Sequence, residues 1–243
     1  YILGDRFETP DEVCIVADAG PLGYLSIAAH GHADALAFTL SAGGREILID
    51  PGTYAYHTQK KWRDYFRGTS AHNTVRVDGL DQSMIGGNFM WLKHARAWCE
   101  QWESDAGRDF FAGAHDGYRQ LPDPVLHRRS LEFDKAAGVL RVADTLECKG
   151  EHQVELFWHF AETCRIRVSG NEISAGCDSR SVRLAMPGLD WSPSVASGQE
   201  TPPLGWISRR FDQKCNSSSV VWAGKISGTT TLHTEIRLER HDS

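Results

Sequence analysis

Alternation with a period of two runs through most of the chain. Val154, Leu156, Trp158 and Phe160 alternate with Glu155, Phe157, His159 and Ala161, and Leu232, Thr234, Ile236 and Leu238 alternate with His233, Glu235, Arg237 and Glu239. Cys164, Ile166 and Val168, and then Val182, Leu184 and Met186, leave arginines on the opposite face. Successive strand side chains point to opposite faces, so this is the signature of strands buried on one side. Similar short segments run near residues 12–18, 34–41, 46–50, 73–78, 91–103, 108–115, 126–134, 138–146 and 218–224, with Gly, Asn, Asp and Pro clusters between them. Only His57–Gly68 has helical spacing, with Trp62, Tyr65 and Phe66 at i, i+3 and i+4. Many short strands and very little helix predict an all-β fold, a large antiparallel β-sandwich. Composition shifts after about Gly150: the long loops and most histidines precede it, and plainer alternation with a Ser/Pro-rich loop at 192–203 follows. The expected organisation is a large sandwich portion over 1–150, then further strands and a smaller C-terminal β unit over 151–243.

Charge narrows the function classes. The 243 residues carry 26 Lys+Arg against 32 Asp+Glu, a formal net charge of −6, which argues against a general nucleic-acid or anionic-membrane binder. No apolar run approaches the ~18–20 residues of a membrane span. The chain opens at Tyr1 without an initiator Met, as a processed or excised piece would. Six cysteines (Cys14, Cys99, Cys148, Cys164, Cys177, Cys215) form no C-x-x-C pair, which excludes zinc-ribbon and thioredoxin-type motifs. They read as buried thiols, with one or two disulfides as the alternative.

The chemistry concentrates early. His30-Gly31-His32-Ala33-Asp34 leads into an apolar run, a Gly43-Gly44 turn, and Glu46-Ile47-Leu48-Ile49-Asp50-Pro51-Gly52-Thr53-Tyr54. This predicts a hairpin, and its turn decides where Asp50 points. A two-residue Gly43-Gly44 loop pairs Ala37 with Asp50 and sends the carboxylate to the face opposite His32. A three-residue Ala42–Gly44 loop sets it opposite Leu36, on the histidine face. Both remain open, as does a place for His32 in the loop before the strand. A third imidazole, His72, stands at the mouth of a new strand in Ser70-Ala71-His72-Asn73-Thr74. Two imidazoles and a carboxylate on neighbouring strands suit Zn²⁺, which takes nitrogen and oxygen ligands tetrahedrally.

These stretches, together with Trp62-Arg63-Asp64-Tyr65-Phe66-Arg67-Gly68-Thr69, resemble the signature of the heparinase II/III family of polysaccharide lyases over roughly residues 20–100. The resemblance implies a β-sandwich region that follows a helical toroid, a domain with no counterpart in this sequence. It further implies a structural zinc held by His32, Asp50 and His72, with His30 lining the catalytic cleft. Tyr54 matches a tyrosine implicated in proton transfer, with Tyr56 and Tyr65 as rivals. The implied substrate is an acidic polysaccharide, and the implied location is periplasmic or secreted.

Lyases of this kind remove the C5 proton of a uronic acid and expel the C4 oxygen. The carbon acid is very weak until its carboxylate is neutralised, so the site needs donors and a proton acceptor. Lys60, Lys61, Arg63 and Arg67 surround a single Asp64 on the predicted helix and suggest a basic lip for a polyanion, with Tyr65 beside it. Trp91, Trp98 and Trp102 suggest either a sugar-stacking platform or sheet-core aromatics. Two rival classes stand beside the lyase. One is a non-catalytic carbohydrate-binding sandwich. The other is a metal-dependent glycan hydrolase built on His30, His32, Asp34, Asp50 and His72.

Overall fold

The structure, a computed structural model, describes residues 1–24, 26–177, 180–186 and 190–240. Two eight-stranded antiparallel sheets face each other. The first runs Ile2–Asp5, Val13–Ala17, Phe38–Ala42, Arg45–Leu48, Glu151–Phe160, Ser218–Ser227, Pro193–Ser197, with Val75–Val77 also paired to Glu151–Phe160. The second runs Arg165–Ser169, Glu172–Cys177, Arg180–Ala185, Thr230–Arg240, Val139–Glu147, Val125–Asp134, Arg108–Tyr118, Ala97–Ser104. The alternating apolar sets of both sheets meet in one core, in which Leu156, Trp158, Phe160, Val220 and Trp222 of the first sheet join Leu131, Phe133, Val142, Ile173 and Ile236 of the second.

The compositional shift near Gly150 marks no seam. Glu151–Phe160 and Ser218–Ser227 lie within the first sheet, and Thr230–Arg240 joins Val139–Glu147 to Arg180–Ala185 in the second. The smaller β elements toward the C-terminus are two short hairpins, Gln199–Glu200 with Pro203–Leu204 and Trp206–Arg210 with Gln213–Asn216. Part of the Ser/Pro-rich stretch, Pro193–Ser197, is an edge strand rather than a loop, where Pro193 costs no ladder bond from a central strand. The 91–103 segment divides between Met90–Lys93, in a separate hairpin, and Ala97–Ser104. Cys164 and Cys177 form a disulfide at the open end of the Arg165–Ser169/Glu172–Cys177 hairpin, and the other four cysteines are free thiols.

The helix is Lys60–Arg67, shorter at its start than the apolar spacing indicated, and a 3-10 turn, Thr69–Ala71, follows it. It buries Trp62, Tyr65 and Phe66 against Tyr54 and Trp206 in a satellite cluster apart from the sandwich core. The helix and the loops before Phe38 and after Leu48 crowd one end of the first sheet, where the candidate chemistry lies.

Candidate metal centre and active-site face

Asp50 reaches the histidines through a bulge. The Gly43-Gly44 turn has two residues, with Ala42 opposite Arg45 and Ser41 opposite Glu46, but the register then slips so that Leu40 faces Leu48. One extra residue on a bulged strand reverses the parity of everything beyond it. That slip turns Asp50 towards His72, the outcome a three-residue loop would have had. Beyond this point the two strands part, and the Asn73 side chain fills the gap. Its Nδ2 donates to the carbonyls of Phe38 (2.9 Å) and Ile49 (3.0 Å), while its Oδ1 accepts from the His159 N–H. Thr74 Oγ1 donates to Ala35 O at 3.1 Å. The Ala71–Thr74 segment thus replaces the missing ladder bonds and fixes His72 between the diverging strands.

Asp50-Pro51-Gly52 is shaped by the same demand. Asp50 Oδ1 accepts the Gly52 N–H at 2.8 Å, and its Oδ2 stands 2.8 Å from His72 Nδ1. Gly52 has φ +83°, and a Cβ there would lie 2.3 Å from the Ser208 carbonyl, so no side chain fits. His32 lies in the loop before the strand rather than in the strand itself. Its ring centroid is 5.3 Å from that of His72. Ligand atoms of His32, Asp34, Asp50 and His72 all fall within 4.8 Å of one another. A cavity of about 170 Å³ is lined by Asp34, Asp50, His72 and Asn73. Asp50 keeps 46% of its side chain open, while His72 is only 1% exposed.

The protonation states suit a cation. Burial, reinforced by His72, lowers His32 to about 3, so it is a neutral imidazole. Desolvation opposes ionisation of Asp50, but the charge and hydrogen bond of His72 prevail and bring it down to about 2. Burial alone would lower His72; Asp50 overcomes this and raises it. Burial, with Asp18 and Asp50 nearby, lifts Asp34 to about 7 against the pull of His72. His72 Nε2 is buried, with no partner among the described residues. A neutral imidazole, a carboxylate held in its ionised form and a second imidazole with a buried nitrogen that has no partner among the described residues form a donor set that fits zinc.

A second group surrounds His30. Its ring stands edge-on to Tyr56 at 5.3 Å, and Tyr56 also meets Phe89 (5.6 Å) and Phe211 (5.0 Å). The Arg63 guanidinium lies 5.1 Å from the Tyr56 ring centre. Tyr54 is elsewhere: at 6% exposure it stacks on Phe66, and its hydroxyl accepts from Gln59 Nε2 at 2.8 Å. The structure therefore brings His30 to Tyr56, not to Tyr54.

Of the basic residues expected to form a lip, Lys60 and Lys61 are exposed, but the two arginines are not. Arg63 and Arg67 are both fully buried. Arg63 donates to the carbonyls of Asn88 (3.1 Å) and Ala29 (3.3 Å), and Arg67 to Asn88 O (3.2 Å) and Gly87 O, with the Trp91 ring 5.0 Å from its guanidinium. They tie the helix to the loops around His30 instead of meeting a polymer. Tyr65 is buried in the satellite cluster, and burial pushes its phenol well above the usual range. Trp91 is buried and donates to Gly31 O at 3.2 Å, so the three tryptophans form no common platform. His159 is packed, with Nδ1 2.7 Å from Ser219 Oγ.

Sequence reasoning missed a buried polar chain that reaches this end of the molecule. The Gly117 N–H donates to His115 Nδ1 (3.2 Å), His115 Nε2 to His127 Nδ1 (2.9 Å), and His127 Nε2 to Asp144 Oδ1 (2.7 Å). The first of these bonds fixes the tautomer of each ring in turn. Arg129 grips Asp144 through Nε (2.7 Å) and Nη2 (3.0 Å), and its Nη1 donates to the carbonyls of Leu36 and Asn73. One guanidinium thereby clamps the two segments that carry the candidate ligands.

An antiparallel double sheet thus carries a mixed imidazole–carboxylate centre and an adjoining histidine–tyrosine face at one end. The chain belongs to the heparinase II/III-like, C-terminal family, which it matches over residues 5–235. Among solved structures, heparan sulfate lyase HepC from Pedobacter heparinus superposes with a TM-score of 0.78 at 17% identity, covering 96% of this chain and 34% of that one. A structure of heparinase III gives 0.80 at 17% identity, covering 100% of this chain and 36% of the other. A heparinase III gene product, BT4657, gives 0.79 at 18%, covering 98% and 34%. The chain spans about a third of the length of these relatives. A search of curated protein sequences finds no match.

Proposed function

We propose that this chain is the C-terminal β-domain of a polysaccharide lyase that cleaves uronic-acid polymers by β-elimination, completed by an N-terminal helical toroid. The observation that carries the reading is the His30–Tyr56 pair, with His30 two residues along the chain from His32 of a metal-type centre, in a chain of the heparinase II/III-like C-terminal family. The relatives solved as heparan sulfate lyase and heparinase III favour a glycosaminoglycan over an alginate-like substrate. The Cys164–Cys177 disulfide accords with a periplasmic or secreted location, where such bonds persist.

In this reading His30 and Tyr56 line the cleft. One takes the C5 proton of the uronate and the other, or the same group, returns a proton to the departing C4 oxygen. The aromatic packing around Tyr56 holds its hydroxyl in place, and the Arg63 and Arg67 bonds hold the loops. His32, Asp50 and His72 would hold a zinc ion, which would cross-link the loop before Phe38, the end of the Arg45–Leu48 strand and the Ala71–Thr74 segment.

The test is chemical. A longer chain that includes the upstream domain, incubated with heparan-type polymer, should yield a conjugated double bond that absorbs ultraviolet light, together with new chain ends. Reducing ends without the chromophore would replace elimination with hydrolysis, and neither product would leave a binding module. The metal assignment separates from the catalytic one by mutation. His72→Ala should lose the ion at this centre and lower the melting temperature, whereas His30→Ala should keep the ion and lose turnover. Elemental analysis and thermal melts of the two variants check this.

A further inference from the structure

A second convergence of metal-type donors lies at the far end of the sandwich. His152 opens the Glu151–Phe160 strand, whose other end carries His159 beside Asn73. Seven residues at ~3.3 Å each place the two ends about 23 Å apart. His152 is 4% exposed; its Nδ1 lies 2.7 Å from Asp78 Oδ2 and its Nε2 2.9 Å from Asp123 Oδ2. Asp123 comes from the loop before Val125–Asp134, and Cys148 from the turn after Val139–Glu147. One ligand atom each from Asp123, Cys148 and His152 falls within 4.8 Å of the other two. Backbone N–H groups of Lys149 (3.1 Å) and Gly150 (2.6 Å) orient the Asp123 carboxylate from the turn that carries the thiol.

An ion pair needs only the imidazole and the carboxylates, and it gives no account of the thiol. Among the described residues Cys148 Sγ meets only the carbonyls of Gly228 (3.2 Å) and Gly150 (3.9 Å), to which a thiol is a weak donor. Thiol, carboxylate and imidazole are brought together from three separate segments. The far nitrogen of the imidazole is held by a further carboxylate, the arrangement that fixes the ring of a metal-binding histidine. We propose that Asp123, Cys148 and His152 form a second metal site for a thiophilic divalent ion of the zinc class, with Asp78 orienting the ring. Binding replaces a proton with metal: the Cys148 thiol releases its proton to solvent, His152 offers its unprotonated Nε2, and its Nδ1–H stays hydrogen-bonded to Asp78. Three protein ligands leave a fourth position for water. This inference is independent of the proposed lyase activity.

Sulfur makes the site separable from the His32–Asp50–His72 centre, which contains none. Metal-free chain titrated with Co²⁺ should develop a near-ultraviolet thiolate-to-cobalt absorption that saturates once both centres are filled. The band should persist in His72→Ala, vanish in Cys148→Ser, and require about 10–100-fold more Co²⁺ in Asp78→Asn. Cys148→Ser is nearly isosteric, and its circular dichroism should match the parent. Absence of the band in folded parent protein, or its survival in Cys148→Ser through another free thiol, would overturn the proposal. The cluster would then be an Asp78–His152–Asp123 ion pair and nothing more.

Discussion

On the proposed β-elimination, Tyr56→Phe in the longer chain is expected to lower turnover by ~10²–10⁴-fold, the range contributed by a positioned acid or base. The ring of Tyr56 is held by His30, Phe89, Phe211 and the Arg63 guanidinium, and phenylalanine preserves all of those contacts. Only the hydroxyl is lost, so melting temperature should stay nearly constant while kcat falls. Tyr54→Phe should behave in the opposite way. It removes the hydrogen bond from Gln59, worth about 0.5–1.5 kcal/mol, from a side chain buried against Phe66, and should leave kcat nearly intact. Steady-state kinetics and melts of the two variants decide between these tyrosines. Loss of turnover in Tyr54→Phe alone would move the proton-transfer role to Tyr54.

The largest loss of stability is expected from Arg129→Ala. Asp144 is almost wholly buried, and Arg129 is the cation that balances it. Removing one partner of a buried pair leaves an uncompensated charge and costs roughly 3–5 kcal/mol. At ~2–4 °C per kcal/mol for a chain of this size, the melting temperature should fall by about 6–20 °C. Desolvation disfavours the ionised Asp144, but Arg129 and then His127 prevail and bring it down to about 2. A carboxylate with a folded pKa below its unfolded value stabilises the fold above the unfolded value, and that stabilisation is lost as pH falls through the folded one. Parent protein should therefore keep this contribution down to about pH 4 and lose it towards pH 2. In Arg129→Ala, Asp144 should titrate higher, so acid sensitivity should begin at higher pH. Because Arg129 also donates to the carbonyls of Leu36 and Asn73, affinity for metal at the His32–Asp50–His72 centre should drop in folded variant protein. Denaturant titrations across pH and metal competition assays provide the readouts. A melting temperature unchanged by Arg129→Ala would show that the clamp carries no load.

The sheets were legible because period-two alternation reports burial directly. Strands such as Glu151–Phe160 and Thr230–Arg240 fall where the alternation put them. The residues that the motifs singled out, His32, Asp50 and His72, do lie with Asp34 so that their ligand atoms fall within 4.8 Å of one another. What spacing left open was the face of Asp50, because a bulge near Leu48 changes parity and has no compositional mark. Arg63 and Arg67 misled for a different reason. Charge on a short helix normally faces water, but here the loops at Ala29 and at Gly87 and Asn88 offer carbonyls that need buried donors. The Arg129 clamp did have a signal. His127 and Arg129 share parity with Leu131 and Phe133, and Asp144 shares it with Val142 and Leu146, so charged groups sit on core positions. Opposite charges at core positions of adjacent strands predict a buried pair, and Arg129 and Asp144 are direct cross-strand neighbours.

The convergence of His32, Asp50 and His72 on one ion is best tested by diffraction from crystals grown with zinc, with data collected on both sides of the zinc absorption edge. The prediction is an anomalous peak bonded to all three residues, ~2.0–2.2 Å from an imidazole nitrogen of each histidine and an oxygen of Asp50. Crystals with no peak there, and with His72 still hydrogen-bonded directly to Asp50, would show a packed polar cluster in its place.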